Sequence, residues 1–406
     1  MSKRLRRPAE HPRHPGGAAR ASIPVRILVF YLAFVAVGMA TASLGPGIPS
    51  FARNTAETLA RIGALFVFHR IGYISGSLGL GRLFDRVSGT FLTGITLLLI
   101  GTGLIVLPIS YSVWLLWATI FLVGLAQGTT EVGANIGVVR LCGSQAGPAM
   151  NGLHLSYGVG AIVAPLVLMQ SLSWFESIRF GFWMLAGLVF LAAVCMFLVP
   201  DQHPRRERRG ARLGGSSITL VALLAMLLLC TVGAEASVGG WIYSYSVAAG
   251  IGSAQQAGLL TSGFWAALTV GRLAGVYLVR RLGARTLILA NTGGALAAVT
   301  LFLLVANRPL GVWSAVLLLG FSQASIVPAT FTYAGQLQLL SGTVAGVFVS
   351  GASAGAMILP WVIGRLFEPV GEISFVWLVW GAQLVALLSF CTVLAATRDG
   401  ASGARS

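Results

Sequence analysis

The sequence predicts an all-α membrane protein, with twelve transmembrane helices in two repeated halves of six. Three observations lead there. The 406 residues are 56% hydrophobic and only 9% charged, with a mean hydropathy of +0.86, against about 25% charged residues in a soluble domain. Apolar runs of about 20 residues, long enough to cross a bilayer, recur along the whole chain. Short patterns also repeat at offsets of 194 and 196 residues: Gly124–Gln127 (GLAQ) returns as Gly320–Gln323 (GFSQ), while Gly81, Arg86 and Gly89 return as Gly275, Arg280 and Gly283. Two matches at nearly one offset point to a duplicated six-span unit.

Residues 1–24 form a basic, proline-containing tail with no apolar run, expected to be disordered and to lie on the cytoplasmic leaflet. The apolar run from Val25 is too long for the core of a cleaved signal peptide. Spans are then expected at 25–48, 59–80, 90–109, 112–141, 148–171 and 179–199, forming an N-terminal bundle over 25–199. A basic linker, 200–216, separates it from spans at 217–246, 254–278, 285–306, 310–339, 341–364 and 373–396, a C-terminal bundle over 217–397. Residues 398–406 form a second short tail. No loop is long enough for a soluble catalytic domain. The 52 glycines suit helices that approach one another closely in lipid.

The net charge of +16 reads as topology. With the N-terminus in the cytoplasm, 21 of the 27 basic residues fall on the inner side, Arg272, Arg280, Arg281 and Arg285 among them. Five fall outside, and Arg70 lies within span 2. This places both termini in the cytoplasm under the positive-inside rule and argues against a nucleic-acid partner. The Ala-, Gly- and Arg-rich composition suggests a GC-rich bacterial genome and hence the inner membrane. Cys142, Cys195, Cys230 and Cys391 show neither metal-ligand spacing nor a disulfide framework.

Chemistry concentrates at 124–165. A carboxylate at mid-membrane costs about 2.5–3.5 kcal/mol on the most lenient scale, so Glu131 is expected to face a bundle interior or a water-filled cavity. Gln127, Glu131 and Asn135 are four apart and share a helix face, as do Asn151, His154 and Tyr157 in the next span. Arg70, with His69 beside it, is expected to pair with Glu131 or Glu235, the two acidic residues that fall within spans. Glu131 can carry a proton between the two sides, or accept hydrogen bonds from substrate hydroxyls. Sugars present apolar faces and a polar rim, so amides and aromatics are candidate contacts: Gln127, Asn135, Asn151, His154, Tyr157, Trp241, Tyr245, Trp265, Gln323 and Tyr333. His154 reads as polar lining, since no second metal ligand has the spacing. Gly239-Gly240 is expected to unwind span 7 beside Trp241. Gly158, Gly160 and Pro165 in span 5, with Gly351, Gly355 and Pro360 in span 11, are expected to let helices bend or pack closely.

The inner loop after span 2, GSLGLGRLFDRVSGTFL, carries Gly81, Asp85, Arg86 and Gly89, and resembles the G-x-x-x-D-R-x-G gating signature of the major facilitator superfamily. Within that superfamily, Glu131-Val-Gly-Ala-Asn135 and the Asn151, His154, Gly160-Ala161 pattern are similar to the fucose permease branch. Arg70, Gly72-Tyr73 and Gly76-Ser77, with Glu235 and Trp241, resemble the sodium-dependent glucose transporter branch. The resemblance implies a two-bundle fold that rocks around a midplane site and works as a monomer. Span 1 lacks the acidic residue of fucose permeases, so their two-carboxylate coupling does not carry over. The expected activity is secondary active transport of a small polar solute, a sugar by preference, driven by a proton or sodium gradient, with no cofactor. Proton-coupled efflux of drugs or metabolites on the same fold is the alternative. The chain shows no Walker motif, so the energy is expected from an ion gradient or the substrate gradient itself; a membrane enzyme or sensor is disfavoured because no catalytic cluster falls within the spans.

Overall fold

The computed structural model describes residues 18–79, 87–142, 146–199, 218–306 and 308–403. Among the described residues there is no strand, and ten helices are long and apolar enough to cross a membrane. In chain order, α1 is Ala18–Thr55. A single turn, Leu59–Ile62, leads into α2, Leu65–Ile74, which continues as a π-helical turn, Ser75–Gly79. Then come α3 (Gly89–Val106), α4 (Val113–Cys142), α5 (Ala146–Phe175), α6 (Arg179–Phe197) and α7 (Ile218–Ala248). Ala254–Leu304 is one continuous assignment broken at Gly283, whose φ of 77° and ψ of 157° are not helical.

That break is a reversal. Gly271 and Gly275, before Gly283, abut Phe321 and Ser325, and Gly294, after it, abuts Ser322. Two points on either side of Gly283 therefore meet the same stretch of the next helix. The segment is a hairpin of α8 (254–282) and α9 (284–304). Glycine is the residue suited to this turn, because positive φ carries no Cβ penalty there. The next span, α10, comes in two pieces, Pro309–Gln323 and Ile326–Gln336; α11 is Gly342–Phe367 and α12 is Ile373–Gly403. Counting the hairpin as two and the interrupted α2 as one gives twelve helical segments among the described residues. α1, α5 and α12 extend several residues past the expected span limits, α3 and α6 stop two or three residues short of them, and the first helix begins at Ala18, inside the expected tail.

Glycine sets the closest contacts. Gly72 and Gly76 of α2 rest on the Phe121 and Leu125 carbonyls of α4, and Gly124 and Gly128 return the contact to His69 and Tyr73. Gly38 of α1 and Gly160 of α5 do the same for their pair, and Gly355 of α11 lies on the Leu229 carbonyl of α7. A methyl group at Gly128 would enter the Tyr73 carbonyl. Gly128→Ala is therefore expected to cost about 1–3 kcal/mol, as overpacking does, read as a lower midpoint of thermal unfolding in detergent.

The two halves touch at one end. Gly45 of α1 meets Gly239 and Gly240 of α7, Gly63 meets Gly364 of α11, and the Leu59 amide donates to Glu368 at 3.1 Å. Between α5 and α8, Ser262 donates to the Ile162 carbonyl at 3.0 Å, and Gly258 abuts Met169. Gly239-Gly240 thus does not unwind α7, which stays helical through 218–248. These glycines leave room for Trp265 and Phe66 to pack against them.

Candidate functional site

A cavity of about 710 Å³ lies between the two halves, within the range of roughly 300–1,000 Å³ typical of small-molecule sites. It runs from the middle of the helices toward the end that carries Arg280, Leu287 and Phe348, away from the Gly45 and Gly63 contacts. Asn151 and His154 on its wall are exposed.

On the N-terminal side, α2 and α4 build one polar group. Tyr73 donates its hydroxyl hydrogen to Glu131 at 2.7 Å, and the Arg70 guanidinium lies over the Tyr73 ring, 5.4 Å from its centre. Arg70 thus meets the tyrosine and neither expected carboxylate. Gln127, 1% exposed, is a tie between helices: it meets His69 on one side, and its amide nitrogen donates to the Val37 carbonyl and the Thr41 hydroxyl, each at 3.2 Å. Asn135 does not line the cavity, because its amide turns back to the Glu131 carbonyl at 2.7 Å. In α5, His154 stands edge-on to Phe34, and Tyr157 stands edge-on to Trp265 of the other half.

On the C-terminal side, Glu235 of α7 accepts from Arg272 of α8 at 3.2 Å, and both line the cavity. The charge count of the sequence sets Arg272 among inner-side residues. Eleven residues before Gly283, at 1.5 Å per residue, it lies about 16 Å along α8 from the hairpin turn. The position of the hairpin turn is the signal that locates it.

Besides Asn135, five candidates lie off the cavity wall. Trp241 is fully buried, donates to the Pro360 carbonyl at 2.9 Å, and stacks on Phe367 at 5.1 Å. It belongs to the closed end. Tyr245 packs edge-on to Phe302 and against Phe375 inside the C-terminal half. Gln323 is 1% exposed with no partner for either amide atom among the described residues. Trp265 and Tyr333 are likewise buried off the wall. Trp241→Phe and Tyr245→Phe should therefore leave substrate affinity unchanged while Trp241→Phe alters transport rate, in a paired binding and uptake measurement. Of the expected gating motif, Gly81, Asp85 and Arg86 lie outside the described residues; Gly89 opens α3, where Ser88 caps the helix by accepting from the Phe91 amide at 3.2 Å.

Residues 30–360 match the family description Major Facilitator Superfamily. The chain belongs to this superfamily. Its relatives include Sodium-dependent glucose transporter 1A of Mus musculus, 28% identical over 83% of this chain and 88% of that protein. Sodium-dependent glucose transporter 1 of Homo sapiens is 27% identical over 82% of this chain and 72% of that protein. Among solved structures, a variant of the nucleoside transporter NupG superposes with a TM-score of 0.73 at 16% identity, over 91% of this chain and 99% of that one. That likeness shows the superfamily fold. The protein is accordingly a multi-pass membrane transporter that moves a solute, and not an enzyme. The cavity is shared by α1, α2, α4 and α5 with α7, α8, α10 and α11, and Leu287 of α9 adds to its wall.

Proposed function

We propose that the chain carries a sugar, or a similar small polar solute, across the inner membrane by alternating access, coupled to a proton or sodium gradient through Glu131. The observation that carries this reading is the Arg70–Tyr73–Glu131 group on the wall of a mid-membrane cavity shared by both halves. A carboxylate in that position is costly unless it serves the cavity. The names of the Mus musculus and Homo sapiens relatives, both sodium-dependent glucose transporters, favour a sugar and an ion gradient.

The bundles 25–199 and 217–397 rock as units; the basic linker 200–216 between them lies outside the described residues. Both termini lie in the cytoplasm, as the basic residues require, so the open end around Arg280 faces inward and the Gly63–Gly364 contact closes the outside. Gln127 positions α1, α2 and α4, while Asn151, His154, Tyr157, Glu235 and Arg272 supply contacts to hydroxyls. The carrier works as a monomer.

The test is thermal stabilisation of the purified protein by a panel of sugars, nucleosides and cationic dyes. A ligand at 100 times its Kd should add about 2.7 kcal/mol. Stabilisation by one or a few sugars, reduced in Glu131→Gln, supports the reading. Stabilisation by dyes alone overturns it in favour of efflux.

A further inference from the structure

We propose that the substrate is an anionic sugar, a uronate or aldonate, whose carboxylate is received by Arg70. The inference rests on the sugar reading and narrows it.

Four groups carry the mid-membrane charge of the cavity: Arg70 and Glu131 in the N-terminal half, Glu235 and Arg272 in the C-terminal half. Three of them have polar partners on the protein. Glu235 and Arg272 hold each other at 3.2 Å, and Glu131 accepts from Tyr73. Arg70 is the exception. Its guanidinium rests on the Tyr73 ring and, among the described residues, has neither an ion pair nor a hydrogen bond. An arginine at this depth must be paired or hydrated. Its planar fork of donors matches a carboxylate in two parallel hydrogen bonds. A neutral sugar offers hydroxyls to the same fork without the charge.

Charge balance points the same way. With both carboxylates ionised, the four groups sum to zero, so the empty carrier can close around an electrically neutral cavity. When a proton or sodium ion loads Glu131, the sum becomes +1. A neutral sugar leaves that charge in place as water is squeezed out, and an uncompensated charge in a low-dielectric interior is penalised. A substrate carboxylate on Arg70 returns the sum to zero. Both halves of the cycle then move a neutral cavity, and transport is electroneutral. His69, held by Gln127, and Tyr73, held by Glu131, together with His154 and Tyr157, complete the set of titratable groups at this level, and Arg280 is exposed at the open mouth, where water screens it.

The test compares three ligands of one shape on the wild-type protein: glucuronate, its uncharged amide glucuronamide, and glucose. Binding is read by equilibrium dialysis, and uptake in proteoliposomes with a pH or sodium gradient and a separately imposed membrane potential. The acid is expected to bind roughly 100-fold tighter than the amide, the scale of losing one partner of a desolvated charge pair. Its uptake should follow the ion gradient and ignore the potential. Arg70→Gln should abolish the preference for acid over amide, and Arg70→Lys should keep part of it. Equal binding of acid, amide and glucose, or uptake of glucose driven by the potential, overturns the inference and leaves the sugar reading standing. Binding of no sugar, charged or neutral, by folded protein overturns both. The wild-type ligand comparison decides even where an Arg70 variant fails to fold.

Discussion

Glu131→Gln should abolish accumulation of substrate while leaving it able to equilibrate. One pH unit is worth 1.36 kcal/mol, so a carrier moving one proton per solute can hold at most about a tenfold gradient across that difference. Wild-type vesicles should approach that limit, and the variant should settle at equal concentrations inside and out. The substitution is mild in structure. The glutamine carbonyl can still accept from Tyr73, which now holds the carboxylate at 2.7 Å, and the side chain keeps its length. What it loses is the charge that an incoming ion would neutralise. Exchange of labelled for unlabelled substrate, which requires no net ion movement, should persist. Loss of exchange together with accumulation would mean that Glu131 holds the substrate itself, and unimpaired accumulation would remove it from coupling.

Gly364→Val should trap the carrier open to the outside. A Cβ at position 364 would lie 2.9 Å from Trp241 Cζ2 and 3.1 Å from the Gly63 Cα, across the contact that closes the outer end. The Trp241 ring cannot give way, because its Nε1 is held by the Pro360 carbonyl and its face by Phe367. The overpacking cost, about 1–3 kcal/mol, falls only on the state in which the two halves touch there. That shifts the population by roughly 5–150-fold. Net transport should fall accordingly while substrate still binds from outside. A cysteine at Thr41, on the cavity wall, in a background freed of the four native cysteines, should react faster with a membrane-impermeant thiol reagent in this variant. Unchanged labelling and wild-type transport would show that the outer end does not close at Gly63 and Gly364.

The all-helical membrane fold could be read from hydropathy, because an apolar run of membrane length has few other uses. The close-packed glycines of α5 and α11 were legible for a related reason: residues without side chains in such helices mark backbone contact, and Gly160 and Gly355 make it. The polar residues of α4 and α5 were legible because few charges occur in the spans and their spacing falls on one face. The aromatic residues of α7 were not. Residues Ser237–Ser246 are buried without interruption, so period alone cannot say which face looks into the cavity and which into a neighbouring helix. Trp241 and Tyr245 share a face, but that face belongs to the closed end and to the C-terminal half. Gln323 shows the limit of the repeat. It matches Gln127 at an offset of 196, but the position matching His69 is Trp265, and neither its indole N–H nor either amide atom of Gln323 has a partner among the described residues, so the amide environment is not repeated. Arg272 was hidden by charge counting, which records the end of a span nearest to a residue and not its depth.

The most direct test is gradient-driven uptake by the wild-type protein in proteoliposomes, with labelled neutral hexoses, deoxyhexoses and sugar acids, with and without an imposed proton or sodium gradient. The account predicts that one class accumulates above its outside concentration only when the gradient is present. Failure of every sugar to enter vesicles containing folded protein, or accumulation that ignores both ion gradients, would contradict it.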